Sequence, residues 1–185
     1  MNRRVLAIAL GLAAAACFFY SAFAKRWLYN TIEYDEAGFG LRSAYYCVDY
    51  RERNECFEYA PSDYEKVFFR AGVLEPGKYK SAAFAPVGMI TFVGSLLAAV
   101  ALLAAAGLAI ARKQPRLAIT PTTLAVLAIA VSLITGCIYV AVKPGPPGIV
   151  GVGISFIVFG AGVVLGIASA PMLARFNRPP DIDDY

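Results

Sequence analysis

A chain of 185 residues that is 59% hydrophobic and only 16% charged, with a mean hydropathy of +0.60, is too apolar for an ordinary soluble domain. Histidine is absent, which removes imidazole acid–base catalysis and histidine-containing metal sites. The formal charge of +4 is modest, and no aromatic-interleaved basic stripe accompanies it, so no nucleic-acid partner is expected.

Four apolar runs without a charged side chain lie at about 5–24, 85–111, 117–142 and 148–174, each reaching the ~20 residues that cross ~30 Å of hydrocarbon. The expected division is a first transmembrane helix in 1–24, a β-rich domain in 25–84, a second helix in 85–111 and a turn at 112–116. A third helix in 117–142, a short loop at 143–147, a fourth helix in 148–174 and a tail at 175–185 complete it. The start of the first run, Met1-Asn-Arg-Arg, and its end at Ala22-Phe23-Ala24 also fit a cleavable signal peptide. Cleavage after Ala24 would leave three spans. The run's length and its bulky Phe18, Phe19 and Tyr20 favour a retained span.

The 25–84 segment carries nine basic and ten acidic residues and is too polar for lipid. Trp27–Tyr34 reads as a strand continuing from the first span, and Asp35–Gly40 as a turn. Leu41–Tyr50 and Cys56–Tyr59 read as a hairpin around a charged turn, Arg51–Glu55. Cys47 and Cys56 would then join the two strands by a disulfide if this side is oxidising. By the chain-entropy estimate such a short loop is worth about 2–3 kcal/mol. Ser62-Asp-Tyr-Glu65 has the form of a capping box, which predicts a short helix through Arg70 ended by Gly72. The tyrosine-rich surface here fits an adhesive face, a membrane interface or cross-strand packing.

The spans contain no ionisable residue at membrane depth, where coupled transporters and proton pumps place theirs. Small residues mark packing positions instead: an Ala-rich second span and a Gly162–Gly166 pair in the fourth. Backbones approach closely at such positions, either within one bundle or against another membrane protein. Pro121 is expected one turn into the third span and Pro171 near the end of the fourth, both as boundary kinks. Cys17 and Cys137, inside the first and third spans, read as small apolar packing residues.

Arg3, Arg4, Arg112, Lys113, Arg116, Arg175 and Arg178 fall on one side of four crossings, against Lys143 alone in the opposite short loop. Both termini are therefore predicted to be cytoplasmic, in a plasma membrane or a bacterial inner membrane. High alanine content fits a GC-rich source of the latter kind.

In the order of its parts and in one motif, the chain resembles the claudin and peripheral myelin protein superfamily. Members have four spans, cytoplasmic termini, and a first outer segment with a Trp soon after the first span. A Gly-Leu-Trp follows, then two cysteines about nine residues apart. Trp27, Gly40-Leu41, Cys47 and Cys56 stand in that order here. Arg42 occupies the place of the family's second Trp, Gly40 to Cys47 is two residues longer than the usual interval, and Asp181–Tyr185 lacks a Tyr-Val ending. Four-span thiol oxidoreductases of the vitamin K epoxide reductase type carry CxxC pairs, whereas eight residues separate this one.

The resemblance implies an all-α four-helix transmembrane bundle with a small antiparallel β domain between helices 1 and 2. It further implies a non-enzymatic role through protein–protein contact, as an adhesive strand former or an accessory subunit. Expected partners are the lipid bilayer and other membrane proteins or a second copy, with no cofactor. A pore or barrier whose charge selectivity is set by Glu33, Asp35, Glu36 and Asp49 is the alternative.

Overall fold

The computed structural model describes residues 3–32, 35–50, 53–63, 82–111, 119–143 and 150–176. Four helices dominate it: α1 (Arg3–Phe23), α2 (Phe84–Ala111), α3 (Pro121–Ala141) and α4 (Ile154–Phe176). All four are long and apolar enough to cross a membrane. Neighbouring helices run antiparallel in a ring, α1 packing closely on both α2 and α4, α2 on α3, and α3 more lightly on α4.

Residue size, rather than polarity, separates the inside of this bundle from its outside. Toward the centre α1 turns Ala7, Gly11, Ala14, Ala15, Phe18 and Ala22, a recurrence every three or four residues that keeps one helical face inward. The buried face of α2 is mostly small, with Gly88, Gly94, Ser95 and a row of alanines beside Phe84, Thr91 and Leu102. Long aliphatic side chains point away: Val100, Ile110, Ile157 and Val164 are all more than 60% exposed. Water would penalise that distribution, whereas lipid favours it, because helices in lipid associate through close backbone approach rather than by hiding Leu and Val. The chain is a multi-pass membrane protein. Several buried hydroxyls bond to their own helices, as where Ser132 Oγ donates to the Ala128 carbonyl at 2.7 Å and Thr91 Oγ1 to that of Val87 at 2.9 Å.

At one end sits a five-stranded antiparallel sheet of order β4-β3-β2-β1-β5. Its strands are β1 (Leu28–Ile32), β2 (Asp35–Phe39), β3 (Ala44–Tyr50), β4 (Arg53–Tyr59) and β5 (Gly151–Val152). Four come from the segment between α1 and α2; the fifth precedes α4.

Several expectations change. Asp35–Gly40 is not a turn: Asp35–Phe39 pairs with both β1 and β3, leaving only residues 33 and 34 between Ile32 and its partner Asp35. Gly38 lies within this strand because the Tyr45 ring crosses it; a Cβ there would be 2.5 Å from Tyr45 Cζ, which is a strand glycine's use in close approach rather than in turning. The turn expected at Arg51–Glu55 shrinks to residues 51 and 52, since Arg53 pairs with Tyr50. The 148–174 span yields its beginning to β5. Gly153 is the reason: its N–H donates to the Trp27 carbonyl at 2.8 Å, and a Cβ would lie 2.8 Å from the Arg26 carbonyl carbon.

Pro121 is the first residue of α3 rather than one turn inside it, with Thr120 capping the helix by accepting from the Thr123 N–H. Proline is at home there because its missing N–H would be unpaired anyway. Cys137 is exposed on the outward side of α3 rather than packed. Of the helix expected from Ser62, only a 3-10 turn at Pro61–Asp63 is described; its continuation to Gly72 lies outside the described residues, as do 112–116 and 177–185.

Candidate functional site at the junction of sheet and bundle

Trp27, Gly40 and Leu41 meet at the seam where the sheet joins the helices. Trp27 is fully buried. Its Nε1 donates to the Ser21 carbonyl at 2.6 Å, and its backbone N–H donates to Phe39 at 3.0 Å. The indole contacts Tyr139 of α3 edge-on at 5.9 Å between centroids and Phe159 of α4 at 5.0 Å. One residue thus joins the end of α1, the sheet and two further helices.

Gly40 forms the bend between β2 and β3, its N–H donating to the Ser43 carbonyl at 2.8 Å. A Cβ there would be 2.7 Å from the Ala24 carbonyl oxygen. The absence of a side chain lets the bend press against the end of α1. The Gly40 carbonyl accepts from the Tyr139 hydroxyl at 2.8 Å, a bond that crosses from α3 to the sheet. Leu41 is buried beside it, and Phe84 stacks on Tyr139 at 4.4 Å. Tyr139 was missed in the sequence because nothing in a run of apolar residues marks which hydroxyl reaches across the seam.

Arg42 lies on the flank of this seam, its guanidinium over the rings of Phe23 at 5.9 Å and Phe92 at 6.0 Å. Both distances suit a cation–π contact, so an arginine standing where a tryptophan was expected still covers aromatic surface at the end of the bundle.

The disulfide lies in the β3–β4 pair at one edge of the sheet. Cys47 and Cys56 are bonded and directly opposite in the ladder, with Cα atoms 4.1 Å apart. Their face of the sheet also presents Tyr45, Glu36 and Glu58. Arg26 Nε donates to the Tyr45 hydroxyl at 2.9 Å, Tyr45 in turn donates to Glu36, and Arg26 pairs with Glu36. The Tyr45 hydroxyl bond, first, and the charges of Tyr45 and Glu36 hold Arg26 above its usual pKa. Burial, reinforced by the bond to Glu36, raises the Tyr45 phenol. Lys25 reaches Glu58 at 3.1 Å, and its hydrogen bond, followed by one from Ser43, holds that carboxyl below the usual glutamate range. Both ion pairs are half-exposed, so each contributes little to stability.

Of the residues considered for charge selectivity, Glu36 is thus engaged by a cation and a phenol. Asp35 and Asp49 contribute backbone to β2 and β3, and Glu33 lies outside the described residues.

Gly162 and Gly166 face inward. A Cβ on Gly162 would be 3.0 Å from Cys17 Cβ, and one on Gly166 2.7 Å from Ile129 Cδ1. The pair seats α4 against α1 and α3 inside one molecule. Glycines with no neighbour within 4 Å occur elsewhere, at Gly107 and Gly160.

At the end of the bundle away from the sheet, Arg4 donates to the Ala109 carbonyl, and Ala7, Ala105, Ala109 and Leu173 form a separate small core. Arg3, Arg4 and Arg175 therefore share that end. No family model matches the sequence, and no curated protein matches it either.

Proposed function

We propose that this is a non-enzymatic, claudin-like membrane protein that works by contact, as an adhesive strand former or as an accessory subunit of a larger membrane complex. The observation that carries the reading is the seam. Trp27 and Gly40-Leu41, two elements of the family's motif, converge there to clamp the sheet onto three helices. The third element, the Cys47–Cys56 bond, ties the two strands at the sheet's far edge. A sheet held this firmly is a platform: its position is fixed while its outward groups are left for a partner. The five-strand order and four helices are compatible with the claudin-like layout.

Orientation follows from charge. The arginines at the end remote from the sheet support a cytoplasmic location for that end by the positive-inside tendency, and with it a sheet and disulfide on the oxidising side. Engagement of Glu36 and Glu58 by Arg26 and Lys25 favours contact over charge-selective conduction. Since Gly162 and Gly166 serve internal packing, a lateral partner would meet other faces, those carrying Gly107 and Gly160 among them.

The test is affinity purification of the tagged chain from its native membranes in gentle detergent, with in-membrane crosslinking, mass spectrometry and a non-reducing gel. Stoichiometric recovery with a larger complex makes it an accessory subunit; a homo-oligomer makes it self-assembling. A chain that crosslinks to nothing and purifies as a monomer rules out function by contact.

A further inference from the structure

A groove of about 510 Å³ opens between the disulfide face of the sheet and the ends of α1 and α4, within the ~300–1,000 Å³ typical of small-molecule sites. Its polar wall is Lys25, Arg26, Glu36, Tyr45 and Glu58, and Ser155 of the first turn of α4 also lines it. Ser155 is fully buried, yet its Oγ has no hydrogen-bond partner among the described residues. The groove opens beside that first turn.

We propose that this groove is a headgroup site for one phosphatidylethanolamine from the leaflet on the sheet side. Height decides the class of ligand. Lys25 and Arg26 follow directly on the last turn of α1, and Ser155 lies in the first turn of α4, so the groove sits where those spans leave the hydrocarbon. A lane for acyl chains leads into it. Tyr20 on α1 lines the groove and is 52% exposed. An adjoining hollow sharing Arg26 and Glu36 is lined by Ile154 and Ile157, both on the exposed side of α4.

Charge decides the headgroup. Two cations and two carboxylates line one opening, which matches a phosphate and an ammonium borne by the same molecule. The phosphate meets Lys25 and Arg26, beside the first turn of α4. The ammonium, with three N–H donors, meets Glu36 and Glu58. A choline headgroup has no N–H to give these carboxylates, and a purely anionic headgroup would be repelled by them. The ion pairs already present are half-exposed and weak, so the lipid extends these four charges into a six-charge network at little cost.

The experiment embeds the full chain in nanodiscs holding equal parts of phosphatidylethanolamine, phosphatidylcholine and phosphatidylglycerol with identical acyl chains. Lipid retained after release is then counted by native mass spectrometry. The expected result is one phosphatidylethanolamine kept about tenfold over phosphatidylcholine, with Glu58→Gln reducing that preference to near parity. Equal retention of all three lipids overturns the proposal, leaving only an annulus. A preference for phosphatidylglycerol overturns it by making the groove an anionic-lipid site. Persistence of the preference in a folded Glu58→Gln protein does so as well. The wild-type comparison stands by itself should that variant fail to fold.

Discussion

Replacing Tyr139 by phenylalanine removes one oxygen and leaves the ring. Its consequence can be worked from the seam. The hydroxyl donates to the Gly40 carbonyl at 2.8 Å, and Tyr139 is 1% exposed. Stacking on Phe84 at 4.4 Å and the edge contact with Trp27 survive the change, so packing loss is small. A buried hydrogen bond is worth about 0.5–1.5 kcal/mol net, and a carbonyl stranded without its donor costs about 1–3 kcal/mol. The expected loss is therefore about 1–2 kcal/mol, or roughly 5–30-fold in the ratio of folded to unfolded protein. Trp27 is the only tryptophan in the chain and sits in the same cluster, so its emission reports the seam directly. Denaturation in mild detergent, followed through that emission, measures the loss. A change below about 0.5 kcal/mol, with the disulfide intact, would mean that water reaches the Gly40 carbonyl and that the seam is not sealed.

Three other expectations rest on separate parts of the molecule. Gly153→Ala should impair folding far more than Gly107→Ala or Gly160→Ala, because its Cβ would run into the Arg26 carbonyl while the other two meet nothing within 4 Å; yields of monodisperse protein in detergent compare them. Cys47→Ser should cost the sheet about 2–3 kcal/mol, given a nine-residue separation, yet leave far-UV helical signal unchanged, since each span satisfies its own backbone. Glu58 should titrate below the ordinary glutamate value and move up in Lys25→Met, as read by carboxyl-carbon NMR. Its folded pKa is depressed, so whatever the pair contributes is present at neutral pH and fades only as pH falls through that folded value. Half-exposed partners limit the contribution to under about 1 kcal/mol, and any rise in sheet stability on acidification would contradict the assignment.

The spans were legible because lack of charge over ~20 residues has one common physical cause. The disulfide and three of the strands between Trp27 and Tyr59 were legible from cysteine spacing and aromatic-rich runs, whereas Asp35–Phe39 read as a turn. What stayed hidden depended on contacts between distant residues. Gly38 and Gly40 look alike in the sequence, but Tyr45 lies across the first and Ala24 crowds the second; one is strand and the other a bend. The start of α4 could not be located within 148–174 because the run is apolar throughout, and the break comes from Gly153 meeting the Arg26 carbonyl. Which face of each helix looks inward was equally obscure. Alanine and leucine are both apolar, and only their sizes sort them once neighbours are present.

β5 has a consequence for how the chain is made. The first four strands emerge from the ribosome between α1 and α2, and on the proposed orientation Cys47 and Cys56 can be oxidised as soon as both have crossed. Gly151, Val152, Phe156 and Phe159 arrive only with the last span, yet they close the sheet's other edge and cover Trp27. Oxidation and completion are thus separate events in biogenesis, set apart by two membrane insertions. A band of oxidised chain on a gel records that the loop has reached an oxidising compartment. Burial of Trp27 records that the fourth helix has docked, and a quality-control factor that surveys this indole would distinguish finished molecules from stalled ones.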